Sequence, residues 1–188
     1  MAFDPGGAAV NAVIFNGSNA GQIIAQGSNG SGISVGVMVL DNSDRVQGEA
    51  RGIDASDAEI ANSGAIVATG ATGIATRSDT ARIRNTGTIS GSQAISVTDT
   101  LSVVNSGTIS GDVLGIVASR ATITNSGLIA GANAAFAIAT VRTLDLDNSG
   151  TIRGTGGSYG LQIGTEGTIR NSGNIIAEGL AISHLAAS

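Results

Sequence analysis

The phrase IRNTGTIS at Ile83 returns as VVNSGTIS at Val103 and as ITNSGLIA at Ile123, at a pitch of 20 residues. A phrase kept at constant pitch is a building unit, whereas a catalytic motif is normally written once. With its Asn as marker, the unit recurs at Asn19, Asn42, Asn62, Asn85, Asn105, Asn125, Asn148 and Asn171, always 20 or 23 residues apart. Gly stands two residues after each Asn except Asn42, where Asp44 does. Four residues after each Asn comes an aliphatic: Ile23, Val46, Ile66, Ile89, Ile109, Ile129, Ile152 and Ile175. Two residues before, the chain writes Leu40, Ile60, Ile83, Val103, Ile123, Leu146 and Ile169, with Gly17 in the first copy.

Within a unit, apolar residues alternate with small polar ones, as in Thr108-Ile109-Ser110, which is strand periodicity. A third apolar position lies midway, at Ile53, Ile74, Ile95, Ile116, Ile138, Leu161 and Ile182. Each unit therefore holds three short strands separated by Gly, Ser, Asn and Asp turns. Three strands cannot bury a face alone, but equivalent residues of successive units align when the units stack. The expected fold is all-β, a single parallel β-helix solenoid of about eight coils and about 40 Å. Residues 1–18 read as an N-terminal lid or assembly segment and 19–188 as the solenoid, each coil starting at one of the eight Asn.

The Asn and Gly have a mechanical reading. Asn tolerates the left-handed conformation of a sharp bend, and Gly supplies positive φ at no steric cost. Stacking also brings the Asn side chains above one another, where their amides can form a hydrogen-bonded ladder. The three-residue difference between coils is expected at more than one turn. GTGGSYG (154–160) reads as a longer loop carrying Tyr159 on the surface, and TRSDTAR (76–82) as the stretch that lengthens the coil from Asn62.

The phrase NSGTISG, followed by a Gly/Ala-Ile strand, resembles the repeats in passenger domains of bacterial autotransporters and related secreted β-helical adhesins. The resemblance covers about residues 19–182. It implies a right-handed β-helix, export from a bacterium and a role at the cell surface, and it speaks to architecture more than to any one activity. The opening MAFDPGGAAVNAVIF lacks the basic start and apolar run of a Sec signal peptide. No C-terminal membrane β-barrel fits after Ile182. The expectation is a free-standing solenoid with autotransporter-like coils, extracellular or at the cell surface, exported without a Sec-type signal.

Composition removes several function classes. The formal charge is −5, and all nine basic residues are Arg scattered singly, so no basic stripe is present to neutralise phosphates. Nucleic acid is not an expected partner. No apolar run approaches the length of a membrane-spanning helix. Cysteine is absent, which excludes disulfides. GISVG (32–36) matches the nucleophile-elbow pattern around Ser34, but no helix follows and the single histidine is His184. The pairs Asp41 and Asp44, Asp54 and Asp57, and Asp145 and Asp147 match no calcium-loop pattern and read as a solvated acidic surface. Only four residues are aromatic, so platforms for sugar rings are lacking. Thr88, Thr108 and Thr151 share a position, but Ala65, Leu128 and Asn174 interrupt the flat array that ice binding needs. No enzymatic activity, cofactor or metal is expected.

The ends remain. A solenoid end without a polar cap exposes strand edges. Neither terminus reads as a cap, and a head-to-tail contact that does not close on itself generates a filament. Phe3, Val10, Val13 and Phe15 are the candidate seam at one end, with Leu180, Ile182 and Leu185 at the other. The expected function is a non-enzymatic structural solenoid whose partners are copies of itself, joined head to tail into an extracellular or cell-surface filament. The alternative is a monomeric adhesin-like module that binds a cell-surface or carbohydrate ligand through the segments 76–82 and 154–160.

Overall fold

The computed structural model describes residues 12–133, 136–157 and 159–184. Alternating apolar and small polar residues, many of them β-branched, make every regular element a strand. The chain runs through β1 (Ala12–Asn19), β2 (Gln22–Ile24), β3 (Ser31–Asn42), β4 (Arg45–Gly48), β5 (Arg51–Asn62), β6 (Ala65–Ala68), β7 (Ile74–Asn85) and β8 (Thr88–Asn105). It continues through β9 (Thr108–Asn125), β10 (Leu128–Gly131), β11 (Phe136–Asn148), β12 (Thr151–Gly154), β13 (Tyr159–Ile163), β14 (Glu166–Asn171), β15 (Asn174–Ala177) and β16 (Ile182–His184).

All pairings are parallel, and they resolve into three ladders, one per face of the coil. The first face carries the short strand after each Asn, and its register runs Ile23, Val46, Ile66, Ile89, Ile109, Ile129, Ile152, Ile175. The second and third faces are two halves of longer strands such as β3 and β5, bent in the middle. They come apart only late in the chain, where β13 and β14 both stack on β11. Three faces per coil are therefore present, written mostly as two strands. Strand β1 pairs with β3 from Ala12 onward, so residues 12–18 belong to the third ladder. The expected boundary at 18 thus falls inside the solenoid.

The core is a set of inward columns. On the first face Val46, Ile66, Ile89, Ile109, Ile129 and Ile152 are all 0% exposed. The third face stacks Leu40, Ile60, Ile83, Val103, Ile123 and Leu146 beneath one another. The second-face column runs Ile33, Ile53, Thr76, Ile95, Ile116, Ile138, Leu161, Ile182. Ile74, expected in that column, instead registers with Arg51 and Gln93 and is half-buried. Thr76 is at the core position, and the segment 76–82 is part of β7 rather than a loop. The reason is where the extra residues go. In the coils from Asn19 and Asn62 all three are spent between the first and second faces, at 25–30 and 69–73, which shifts the core position three residues along relative to the coil from Asn42. In the coil from Asn125 the register breaks again between Thr140 and Thr143, so there the difference is divided between two corners.

The corners themselves are not left-handed. Among the described residues positive φ occurs at Asn133, Gly27, Gly156 and Gly157, and at none of the repeated Asn or the Gly that follow them. The corner Gly has a different cause. A Cβ on Gly107 would strike the carbonyl oxygen of Gly87 in the coil beneath, and Gly87, Gly127, Gly150 and Gly173 meet the same obstruction. At these corners the Gly answers to how closely successive coils stack, not to backbone handedness, and Asp44, over the first coil, is the one departure.

Candidate functional site

The repeated Asn form a continuous spine. Each side chain turns inward, and Asn42, Asn62, Asn85, Asn105, Asn125 and Asn148 are at most 2% exposed. Nδ2 of Asn19 donates to Oδ1 of Asn42 at 2.7 Å, and the link repeats through Asn62, Asn85, Asn105, Asn125, Asn148 and Asn171 at 2.7–2.8 Å. From Asn42 onward Nδ2 also donates to the carbonyl two residues ahead, 3.2 Å away for Asn105 and Gly107. Each corner is closed by backbone bonds from the next coil, as when the amides of Ser106 and Gly107 donate to the Asn85 carbonyl. Every amide in this chain points the same way, so the hydrogen bonds polarise one another.

The spine has two unlike ends. At one, Asn19 Oδ1 accepts only the Gly21 amide at 3.3 Å, among the described residues. At the other, Asn171 Nδ2 donates to the Gly173 carbonyl at 3.1 Å and has no further Asn to meet. The core columns open at the same two levels. Ile23 and Ile175 are only partly buried, and Ile182 is 48% exposed, although their column-mates are sealed.

The candidate seam residues divide accordingly. Phe15 is half-buried against the core, with its ring over the position that a side chain on Gly17 would fill. Leu180 and Ile182 are exposed at the far end. Phe3, Val10 and Leu185 lie outside the described residues, as does the side chain of Val13.

The chain matches no known family model, no curated protein and no solved structure.

A second surface is concave. Along the bend between the second and third faces lie two shallow depressions of about 330 and 430 Å³, which meet at Thr100. The first is lined by Asp57, Glu59, Thr80 and Arg82, the second by Arg120, Thr143, Asp145 and Glu166. The inward column here mixes sizes: Met38, Ala58, Ala81, Leu101, Ala121, Leu144 and then Gly167. Hydroxyls, carboxylates and guanidiniums share the lining with aliphatics, the exposed Val37 and Val39 in the first depression above all, and no aromatic ring or imidazole takes part.

The remaining candidates are dispersed. Ser34 is half-buried within β3 with strand on both sides. His184 is exposed, its Nε2 3.4 Å from the Thr165 carbonyl oxygen. Asp54 sits between Arg51 at 2.9 Å and Arg77 at 3.7 Å, and Asp145 pairs with Arg170 at 3.3 Å. Among the described residues no three His, Cys, Asp or Glu side chains come together, and no helix is long and apolar enough to cross a membrane. Tyr159 is not on a free loop. It opens β13 and stacks on Phe136 with ring centroids 5.1 Å apart.

Proposed function

We propose that this protein is a structural β-solenoid that joins copies of itself end to end into a filament. The observation that supports it is the contrast between coils: Ile23 in the first coil and Ile169, Asn171, Ile175 and Ile182 in the last are partly or largely exposed, while their equivalents in the interior coils are sealed. An isolated rod leaves these terminal groups in water, and stacking a second rod buries them. The unlike ends of the Asn spine favour head-to-tail joining, which propagates without closing. The resemblance of the coil phrase to secreted bacterial β-helices supports an extracellular or cell-surface setting.

Negative-stain electron microscopy across a dilution series tests the reading. Unbranched filaments one coil in width, shortening on dilution, are the expected outcome. Discrete short rods at every concentration reject it.

A second reading rests on the concave bend. Its depressions suit an extended polar chain such as a polysaccharide, held by Thr hydroxyls and by Arg82 and Arg120. In that case soluble polysaccharide binds to single rods, and Arg82→Ala and Arg120→Ala weaken binding while leaving the rods intact.

A further inference from the structure

Each ladder has eight rungs among the described residues, so the two ends of the rod present all three faces. The outward residues of the first face then show a pattern that the interior does not. One outward column reads Gln22, Arg45, Ala65, Thr88, Thr108, Leu128, Thr151, Asn174, with a carboxamide only at its two extremes. The neighbouring column begins with Ile24 and finishes with Ile176, and between them come Gln47, Val67, Ser90, Ser110, Ala130 and Arg153. Ile24 is 43% exposed and Ile176 52%.

We propose that the last coil of one copy seats on the first coil of the next in a single register, Asn171 over Asn19. This rests on the filament reading above and specifies its junction. In that register Asn171 Nδ2 donates to the open Oδ1 of Asn19, and the spine continues unbroken. Asn174 falls on Gln22, pairing two carboxamides. Ile175 falls on Ile23 inside, and Ile176 falls on Ile24 outside, so each exposed aliphatic covers its equivalent. A shift by two residues along the strand loses all four pairings together.

Gly21 supports the same register from a different direction. In the interior the corner Gly is demanded by the coil beneath, as for Gly107 over Gly87. At Gly21 nothing lies within 4 Å of the Cβ position in the single rod. Seating Asn171 over Asn19 puts the Gly173 carbonyl where the interior coils have theirs, and the absence of a side chain at Gly21 then has a steric cause.

Cysteine pairs read the register directly, because the natural chain has none. Ser18 and Arg170 are exposed and precede the two terminal Asn by one residue, so they become neighbours across the junction. Stacked strands lie about 4.8 Å apart, within disulfide reach, and a two-residue offset puts the pair beyond about 7 Å. The expected result for the double variant Ser18→Cys with Arg170→Cys is a ladder of covalent multimers on non-reducing gels after mild oxidation. Ser18→Cys with Thr168→Cys should stay largely monomeric on the same gels. Filaments by microscopy without Ser18–Arg170 cross-links overturn the register and leave the filament reading standing. Single rods with both cysteines unlinked overturn both.

Discussion

The side-chain amide of Asn85 donates to Oδ1 of Asn105 at 2.8 Å across 20 residues of sequence, and Asn105 repeats the gesture toward Asn125. A single residue is thus both acceptor and donor in a buried chain. Asn105→Ala takes the partner from one N–H of the Asn85 amide, whose other bonds go to the Gly87 and Thr108 carbonyls, and leaves the Asn125 Oδ1 unpaired in the interior. At about 1–3 kcal/mol for each orphaned group, the expected loss is about 2–6 kcal/mol, measured by urea denaturation. Asn171→Ala, at the open end, takes the partner from one N–H of the Asn148 amide alone and should cost about half as much in the same assay.

Thr76 occupies a core column between Ile53 and Ile95, and its buried hydroxyl has no hydrogen-bond partner. Thr76→Val keeps the shape and removes the desolvated oxygen. It should raise stability by about 1–2 kcal/mol, read as a higher denaturation midpoint. An unchanged or lowered midpoint would show that the hydroxyl is satisfied.

Glycine at equivalent corners should respond oppositely to enlargement. Gly107→Ala drives a methyl into the Gly87 carbonyl and is expected to destabilise the rod by about 1–3 kcal/mol. Gly21→Val meets nothing in the single rod, so its melting temperature should match that of the parent while its filaments are lost.

The Ile24 and Ile176 pair predicts a charge swap. Ile24→Glu and Ile176→Lys, made separately, each leave one charge facing an apolar neighbour across the junction. Each should raise the concentration needed for filaments by about tenfold, or about 1.4 kcal/mol per junction. Combining the two should restore assembly, measured by sedimentation across a concentration series.

The all-β stacked architecture was legible because every coil must seat on its predecessor, which forces Ile109-type residues and the Asn to recur in register. The same logic failed at Ile74. Its spacing from Asn62 suited the column, but the turn at 69–73 absorbs the whole insertion and delivers Thr76 instead. A polar residue in a column of Ile breaks the apolar pattern on which such reading depends. The corner Gly were found for the wrong reason, since positive φ and close stacking leave the same residue in a sequence. The concave bend was not legible, because the residues that line it, Asp57, Thr80 and Arg82 among them, come from separate coils and look like ordinary outward strand positions. The matching of Gln22 with Asn174 becomes visible only once the registers are known.

Coil length varies chiefly at one corner, between the first and second faces, while the spine and its neighbouring columns keep their register. That corner is an edge of the rod on which sequence can be added without disturbing the rest. Peptides grafted between β6 and β7, β10 and β11, or β12 and β13 would project along a common line, at separations set by whole multiples of the rung spacing of about 4.8 Å. The molecule is in this sense a ruler with one writable margin.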